Sequence, residues 1–154
     1  MRSFASLDEL AAAVGERLGP GPWFPIDQRR VNLFADATDD HQWIHLDQER
    51  AAAGPFGGTI AHGYLTLALL PALVGRLYRV DGVRMGVNYG LNRVRFPAPV
   101  RVGSSVRVVA TIDQVSPFEG GAQLVATVTV AGDGGGKPVC VAETVSRLYA
   151  DPPR

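Results

Sequence analysis

The segment Tyr64–Val74 is apolar on nearly every side of a helix. A helix of that kind does not stand in water, so the rest of the chain must cover it. The spacing predicts a helix from Ala61 to about Val80. Pro71 is expected to kink or split it, because proline removes an N–H and clashes with the preceding turn. After residue 80 the apolar period changes to two. Val83, Met85, Val87, Tyr89 and Leu91 alternate with Arg84, Gly86, Asn88 and Gly90. The parity then flips to Val94 and Phe96, which predicts a bulge near Asn92 or a change of buried face. Val106–Ile112, Ala122–Val130 and Val139–Tyr149 read as three further strands, joined by turn-rich links. The four long strands are expected to form a meander.

Helices come first. Ser6 followed by Glu9 is a capping-box pattern, and Leu7, Leu10, Ala11, Val14 and Leu18 recur at helical spacing. Gly19-Pro20-Gly21-Pro22 stops that helix, and Trp23–Ile26 reads as a short strand. Asp27 and Asp47 are candidate N-caps for a helix through Val31, Phe34 and Ala35 and for a short helix up to Ala53. Helices followed by strands argue an α+β fold. An all-apolar helix followed by an antiparallel sheet points to a sheet wrapped around a long central helix, the hot-dog architecture. At 154 residues the chain is expected to form a single domain over 1–154.

Composition removes several classes of function. Lys+Arg and Asp+Glu balance at 15 each, which argues against a nucleic-acid or anionic-membrane partner. One cysteine, Cys140, excludes an internal disulfide framework and fits a reducing cytoplasm. The N-terminus lacks an apolar run of signal-peptide type, and Tyr64–Val74 is far short of the ~20 residues of a membrane span. The expectation is a cytoplasmic protein.

The chemistry concentrates in Phe34–Asp47, which holds four acids and two of the three histidines. On one α-helix Asp40 and His45 would point ~140° apart, whereas a loop entering a short turn can bring them together. A carboxylate and an imidazole at one point can share a water and move its protons. The plainer reading is a solvated acidic loop, with Asp36 and Asp39 facing solvent. His41 and His45 have the i, i+4 spacing of zinc helices, but Gln42 stands where H-E-x-x-H needs its glutamate. His45 and Asp47 with His62 imitate a two-histidine, one-carboxylate triad. Neither metal reading is favoured.

The glycines of Pro55-Phe56-Gly57-Gly58-Thr59-Ile60-Ala61-His62-Gly63 precede the apolar helix. N–H groups at such a helix start can hold a developing oxyanion, or the glycines can simply permit close packing. His62 reads as a packed, satisfied histidine or as a loop support. Arg93, Arg95 and Arg101 can meet phosphates or form the wet side of a strand. Cys140, in an apolar run, reads as a buried structural thiol.

Three segments in this order resemble the MaoC-like dehydratases, the (R)-specific enoyl-CoA hydratases: Thr38–Asp47, Thr59-Ile60-Ala61-His62-Gly63 and Phe96-Pro97-Ala98-Pro99-Val100. The resemblance implies that Asp40 and His45 form the catalytic dyad and that the Gly63 N–H holds the thioester oxygen. It implies hydration of a trans-2-enoyl-CoA to the (R)-3-hydroxyacyl-CoA, with no metal or redox cofactor, coenzyme A being part of the substrate. It also implies a homodimer. Asp39 stands where the family usually has Gly, Gln42 where it has Asn, Trp43 where it has Pro, and Thr59 where the second motif has Pro. Gln42 is expected to take over loop support, and Trp43 to alter the substrate entrance. The rivals are a hot-dog thioesterase, a non-catalytic acyl-thioester binding module and a partner-dependent acyl-carrier-protein dehydratase subunit. Against the first, the Ala61–Val80 helix carries no Asp or Glu.

Overall fold

The computed structural model describes residues 1–150, so the last four residues of the expected 1–154 domain lie outside the described residues. The chain starts with strand β1 (Arg2–Phe4), helix α1 (Leu7–Ala12) and short strands β2 (Arg17–Leu18) and β3 (Phe24–Pro25). Helices α2 (Gln28–Thr38), α3 (Trp43–Leu46), α4 (Gln48–Ala52), α5 (Gly63–Ala68) and α6 (Leu70–Val74) follow. The remainder is strand: β4 (Tyr78–Val80), β5 (Val83–Arg95), β6 (Ser105–Phe118), β7 (Gly121–Gly132) and β8 (Cys140–Ala150).

The caps fall where the sequence puts them. The Ser6 hydroxyl accepts from the Glu9 N–H, and the Glu9 carboxylate reaches back to the Ala5 N–H at 2.6 Å. Asp27 and Asp47 accept from the Arg30 and Arg50 N–H groups. Each such cap contributes about 1 kcal/mol. The first helix is shorter than its periodicity suggests. It ends at Ala12, and Arg17–Leu18 pairs with β6 instead.

The central helix is two short pieces rather than one long one. Pro71 offers no N–H to the Leu67 carbonyl, and the break falls between Ala68 and Leu70. The segment ends at Val74, and Leu77 turns the chain into β4, which pairs in parallel with β1. Phe4, fully buried, meets the Tyr78 ring edge-on at 6.0 Å and ties the N-terminus to this turn. The expected burial on all sides is only partly met. Leu65, Leu69, Leu70 and Leu73 enter the core, whereas Tyr64 is 71 % exposed.

The main sheet runs β2-β6-β7-β8-β5, with β3 also on β6. Strands β6, β7 and β8 form the expected meander, but β5 does not join it beside β6. It lies at the far side, antiparallel to β8 and, among the described residues, to no other strand. The bulge near Asn92 is present as a register shift between Leu91 and Arg93 against β8. Val108 opposes Val130 and Ala110 opposes Val128, so their buried side chains share one face over α5 and α6. Burying each of these valines contributes about 1.5–3 kcal/mol. No helix among the described residues is long and apolar enough to cross a membrane.

Leu73 is 2 % exposed in the core, and Leu33 on α2 is 56 % exposed. Leu73→Ala is expected to lower stability by about 2–5 kcal/mol in urea unfolding, and Leu33→Ala by no more than about 0.5 kcal/mol.

Candidate active site

Helix α2 ends at Thr38, whose hydroxyl donates back to the Phe34 carbonyl at 2.7 Å. Asp39 then takes a left-handed conformation, φ 57° and ψ 19°. That explains why the resembling motif carries glycine here: aspartate tolerates this region better than most residues but not freely. The reversal brings Asp40 to the start of α3. The Gln42 carbonyl accepts from the His45 N–H at 3.0 Å, which sets His45 inside the turn.

The separation of Asp40 and His45 by loop and turn brings them together as expected. A carboxylate oxygen of Asp40 and ring nitrogens of His45 and His62 lie within 4.8 Å of one another. Asp40 is exposed, whereas His45 and His62 are buried. The two imidazoles stack, with centroids 3.8 Å apart and planes 24° from parallel. The Phe34 ring is 5.0 Å from His62.

Tautomers follow from the partners. His45 Nδ1 lies 2.7 Å from the Ile60 carbonyl, and a carbonyl only accepts, so Nδ1 carries the proton. Nε2 is left as the bare nitrogen. Burial pushes the His45 pKa below the ordinary value of 6.5, and the neighbouring His62 pushes the same way. The Ile60 hydrogen bond and the Asp40 charge oppose this without reversing it. At neutral pH His45 is therefore a neutral imidazole.

His62 Nε2 donates to the Asp40 carbonyl at 3.0 Å, while its Nδ1 is buried without a partner. It supports the loop as expected, but it is satisfied on one side only. Asp40, His45 and His62 also form a potential metal-ligand group. The His62 Nε2, 4.0 Å from the Asp40 carboxylate, already spends its proton on the Asp40 carbonyl and is not a free ligand in this arrangement. His41 does not join this group. It pairs with Asp36 at 3.0 Å on the surface, and this carboxylate raises its pKa.

Gly63 is the first residue of α5, where backbone N–H groups lack intrahelical partners. The His62 side chain makes no cap hydrogen bond to them. A Cβ on Gly63 would sit 3.0 Å from the Phe96 ring, so the glycine also allows close packing. His45 and Gly63 line an apolar cavity of about 390 Å³ with Phe56, Ile60, Thr66 and Phe96. A second cavity of about 740 Å³ runs along α6, between Leu67, Pro71 and Val74 on one side and Val83, Leu91 and Leu148 on the other.

The expectation for Gln42 needs correction. The Gln42 side chain makes no cap hydrogen bond and is exposed; the residue supports the loop only through its carbonyl. Trp43 does not line the cavity at His45. Its ring packs against Arg50, 4.3 Å away, and approaches Gly54. The residue that reaches the His45 main chain is Gln28, whose Nε2 donates to the His45 carbonyl at 2.7 Å. Gln28 Oε1 accepts from the Thr59 hydroxyl at 2.7 Å. Nothing local in the sequence marks Gln28; the only signal was Thr59 standing at a usual proline. Arg101 donates to the Gly57 carbonyl at 2.6 Å and pins the glycine loop. Burial raises the Cys140 pKa to about 11, so that thiol is inert.

The site and fold place the chain among known proteins. It is 56 % identical over 151 residues to 3-hydroxyacyl-thioester dehydratase Z of Mycobacterium tuberculosis, covering 97 % of this chain and all of that one. The monoamine oxidase regulatory protein from Archaeoglobus fulgius superposes with TM-score 0.78 at 25 % identity, covering 99 % of this chain and 98 % of that one. The R-hydratase PhaJ1 from Pseudomonas aeruginosa superposes with TM-score 0.73 at 25 % identity, covering 96 % and 88 %. The family model described as MaoC like domain matches residues 9–133, and the chain belongs to that family.

Proposed function

We propose that the chain catalyses the reversible hydration of a trans-2-enoyl thioester to the (R)-3-hydroxyacyl thioester, with Asp40 and His45 sharing the attacking water. The observation that carries this reading is the Asp40 carboxylate within 4.8 Å of a His45 ring nitrogen, with Nε2 left bare by the Nδ1 bond to Ile60 and His45 lining an apolar cavity. A relative named for 3-hydroxyacyl-thioester dehydration and a neighbour named as an R-hydratase support it.

In the proposed cycle the water donates one hydrogen bond to His45 Nε2 and one to Asp40. Its oxygen forms a bond to the β-carbon while its proton passes to His45 Nε2. The electron pair of the double bond shifts onto the thioester oxygen, where the Gly63 N–H stabilises it. The pair then returns a proton to the α-carbon, which closes the balance with one water added. Dehydration is the reverse. Coenzyme A serves as the carrier of the acyl group, and its thioester is the substrate. The apolar cavity that His45 and Gly63 line is where the thioester end of the acyl chain would lie. A thioesterase reading finds no carboxylate on α5 or α6.

We read the working form as a homodimer. Among the described residues strand β5 has β8 as its one partner, and it exposes Met85, Val87, Tyr89 and Leu91. An apolar, unpaired edge of this length favours pairing with a second copy. Light scattering is expected to give twice the 16.4 kDa chain mass, and Tyr89→Glu to shift the population towards that single mass. A wild-type protein at 16.4 kDa contradicts this.

Purified protein is expected to hydrate crotonyl-CoA or a longer enoyl-CoA to the (R) product. Asp40→Asn and His45→Gln are expected to lower kcat by about 10²–10⁴-fold while folding normally. Failure of every enoyl-CoA with folded protein contradicts the reading. The base form of His45 is the active one, so kcat/KM is expected to fall as pH drops through its folded pKa, with a midpoint below 6.5. The same shift makes the unfolded chain bind the proton more readily, so this group costs stability as pH falls through 6.5.

A further inference from the structure

The His45 ring is held through Nδ1 by the Ile60 carbonyl, so the placement of Nε2 depends on the segment that carries Ile60. That segment is the loop before α5, and the loop joins the His45 turn by main chain at one point, the Ile60 N–H to the Ile44 carbonyl at 3.0 Å. A third element bridges the two. From the first position of α2, the Gln28 amide donates to the His45 carbonyl at 2.7 Å and to Asn32 Oδ1 at 2.9 Å. Its Oε1 accepts from the Thr59 hydroxyl at 2.7 Å. A carbonyl only accepts, so the His45 contact fixes which end of the amide faces α3 and leaves the oxygen for Thr59. Both amide hydrogens and the oxygen are engaged.

The contacts form a closed ring: Gln28 to the His45 carbonyl, along His45 to its Nδ1–H, across to Ile60, back one residue to Thr59, and from its hydroxyl to Gln28. Thr59 is 7 % exposed and the His45 imidazole is buried, so these two members of the ring are shielded from water, while Gln28 is half-buried. From this closed ring we propose that Gln28 and Thr59 are positioning residues for His45, clamping its main chain and the Ile60 carbonyl so that Nε2 faces the attacking water. The proposal rests on the hydration reading for its consequence in turnover; its geometric content does not.

The clamp makes specific chemical demands. Glutamate at position 28 keeps the acceptor for Thr59 but turns a lone pair on the His45 carbonyl. Leucine removes all three bonds. Valine at 59 keeps the shape and removes the hydroxyl; serine keeps the hydroxyl. Thr59→Val is expected to lower kcat about tenfold with KM within about twofold, the loss of one well-shielded hydrogen bond. Thr59→Ser is expected to restore kcat to within about twofold. Gln28→Leu is expected to lower kcat about 10–100-fold, because the imidazole loses its fixed orientation. The double variant Gln28→Leu with Thr59→Val should be no worse than Gln28→Leu alone, since the two act as a unit.

A second readout does not need turnover. In nitrogen-15 NMR of the histidine rings, wild type and Thr59→Ser should show a protected His45 Nδ1–H, and Thr59→Val should lose it to exchange. If wild type turns nothing over, the hydration reading fails while the NMR series still decides the clamp. The clamp is overturned if Thr59→Val keeps the protected Nδ1–H with unchanged kcat, or if Thr59→Ser loses as much as Thr59→Val. Should Gln28→Leu not fold, the Thr59 pair alone decides it.

Discussion

The hydrogen bond from His45 Nδ1 to the Ile60 carbonyl, 2.7 Å long and buried, is the contact on which the site depends. It joins two segments that are fifteen residues apart in the chain, and the His62 contact to the Asp40 carbonyl and the Gln28 bridge link them as well. It settles the tautomer, and with it which nitrogen is free. The sheet serves this bond indirectly. The Ala61 N–H bonds the Val100 carbonyl and the Val102 N–H bonds the Thr59 carbonyl, so the loop carrying Ile60 is held to the segment leading into β6. The core beneath β6, β7 and β8 holds α5 in place, and α5 begins at Gly63 beside His62.

Burial and charge set the two members of the proposed dyad apart. His45 is enclosed, and its pKa moves down. Asp40 stays open to water on a turn held by the left-handed Asp39 and by the His62 contact to its own carbonyl. A base without charge next to an exposed carboxylate can hold one water between them without two like charges meeting. His62 under His45 is a flat support whose remaining nitrogen is unused by the protein.

Much of this was readable from residue types alone, and the failures have physical causes. The five-residue spacing of Asp40 and His45 excluded convergence on one helix and left a loop and turn able to bring them together, beside a plain acidic loop; the motif resemblance favoured convergence. The bulge near Asn92 followed from the parity flip, and the break near Pro71 from its missing N–H. The far placement of β5 was not legible, because strand order depends on tertiary packing and β5 alternates like any edge or central strand. The exposure of Tyr64 on an all-apolar helix also escaped, since periodicity cannot say which side another surface covers. Gln28 left no local mark: it acts over seventeen residues on a main-chain carbonyl, which leaves no spacing signal. The expectation for Gln42 erred by assuming that an amide at the motif position does the work that an amide from α2 does in this chain.

Hydration of an enoyl thioester in deuterium oxide tests the central claim most directly, with the product's two new stereocentres read by proton NMR. One acid–base pair on one side of the substrate must deliver both the oxygen and the α-carbon deuteron to the same face. The account predicts a single (R)-3-hydroxy product with one deuteron at the α-carbon, added syn to the hydroxyl. An anti product, or a mixture of both α-carbon configurations, would show that oxygen and proton arrive from different groups and would contradict the shared role of Asp40 and His45.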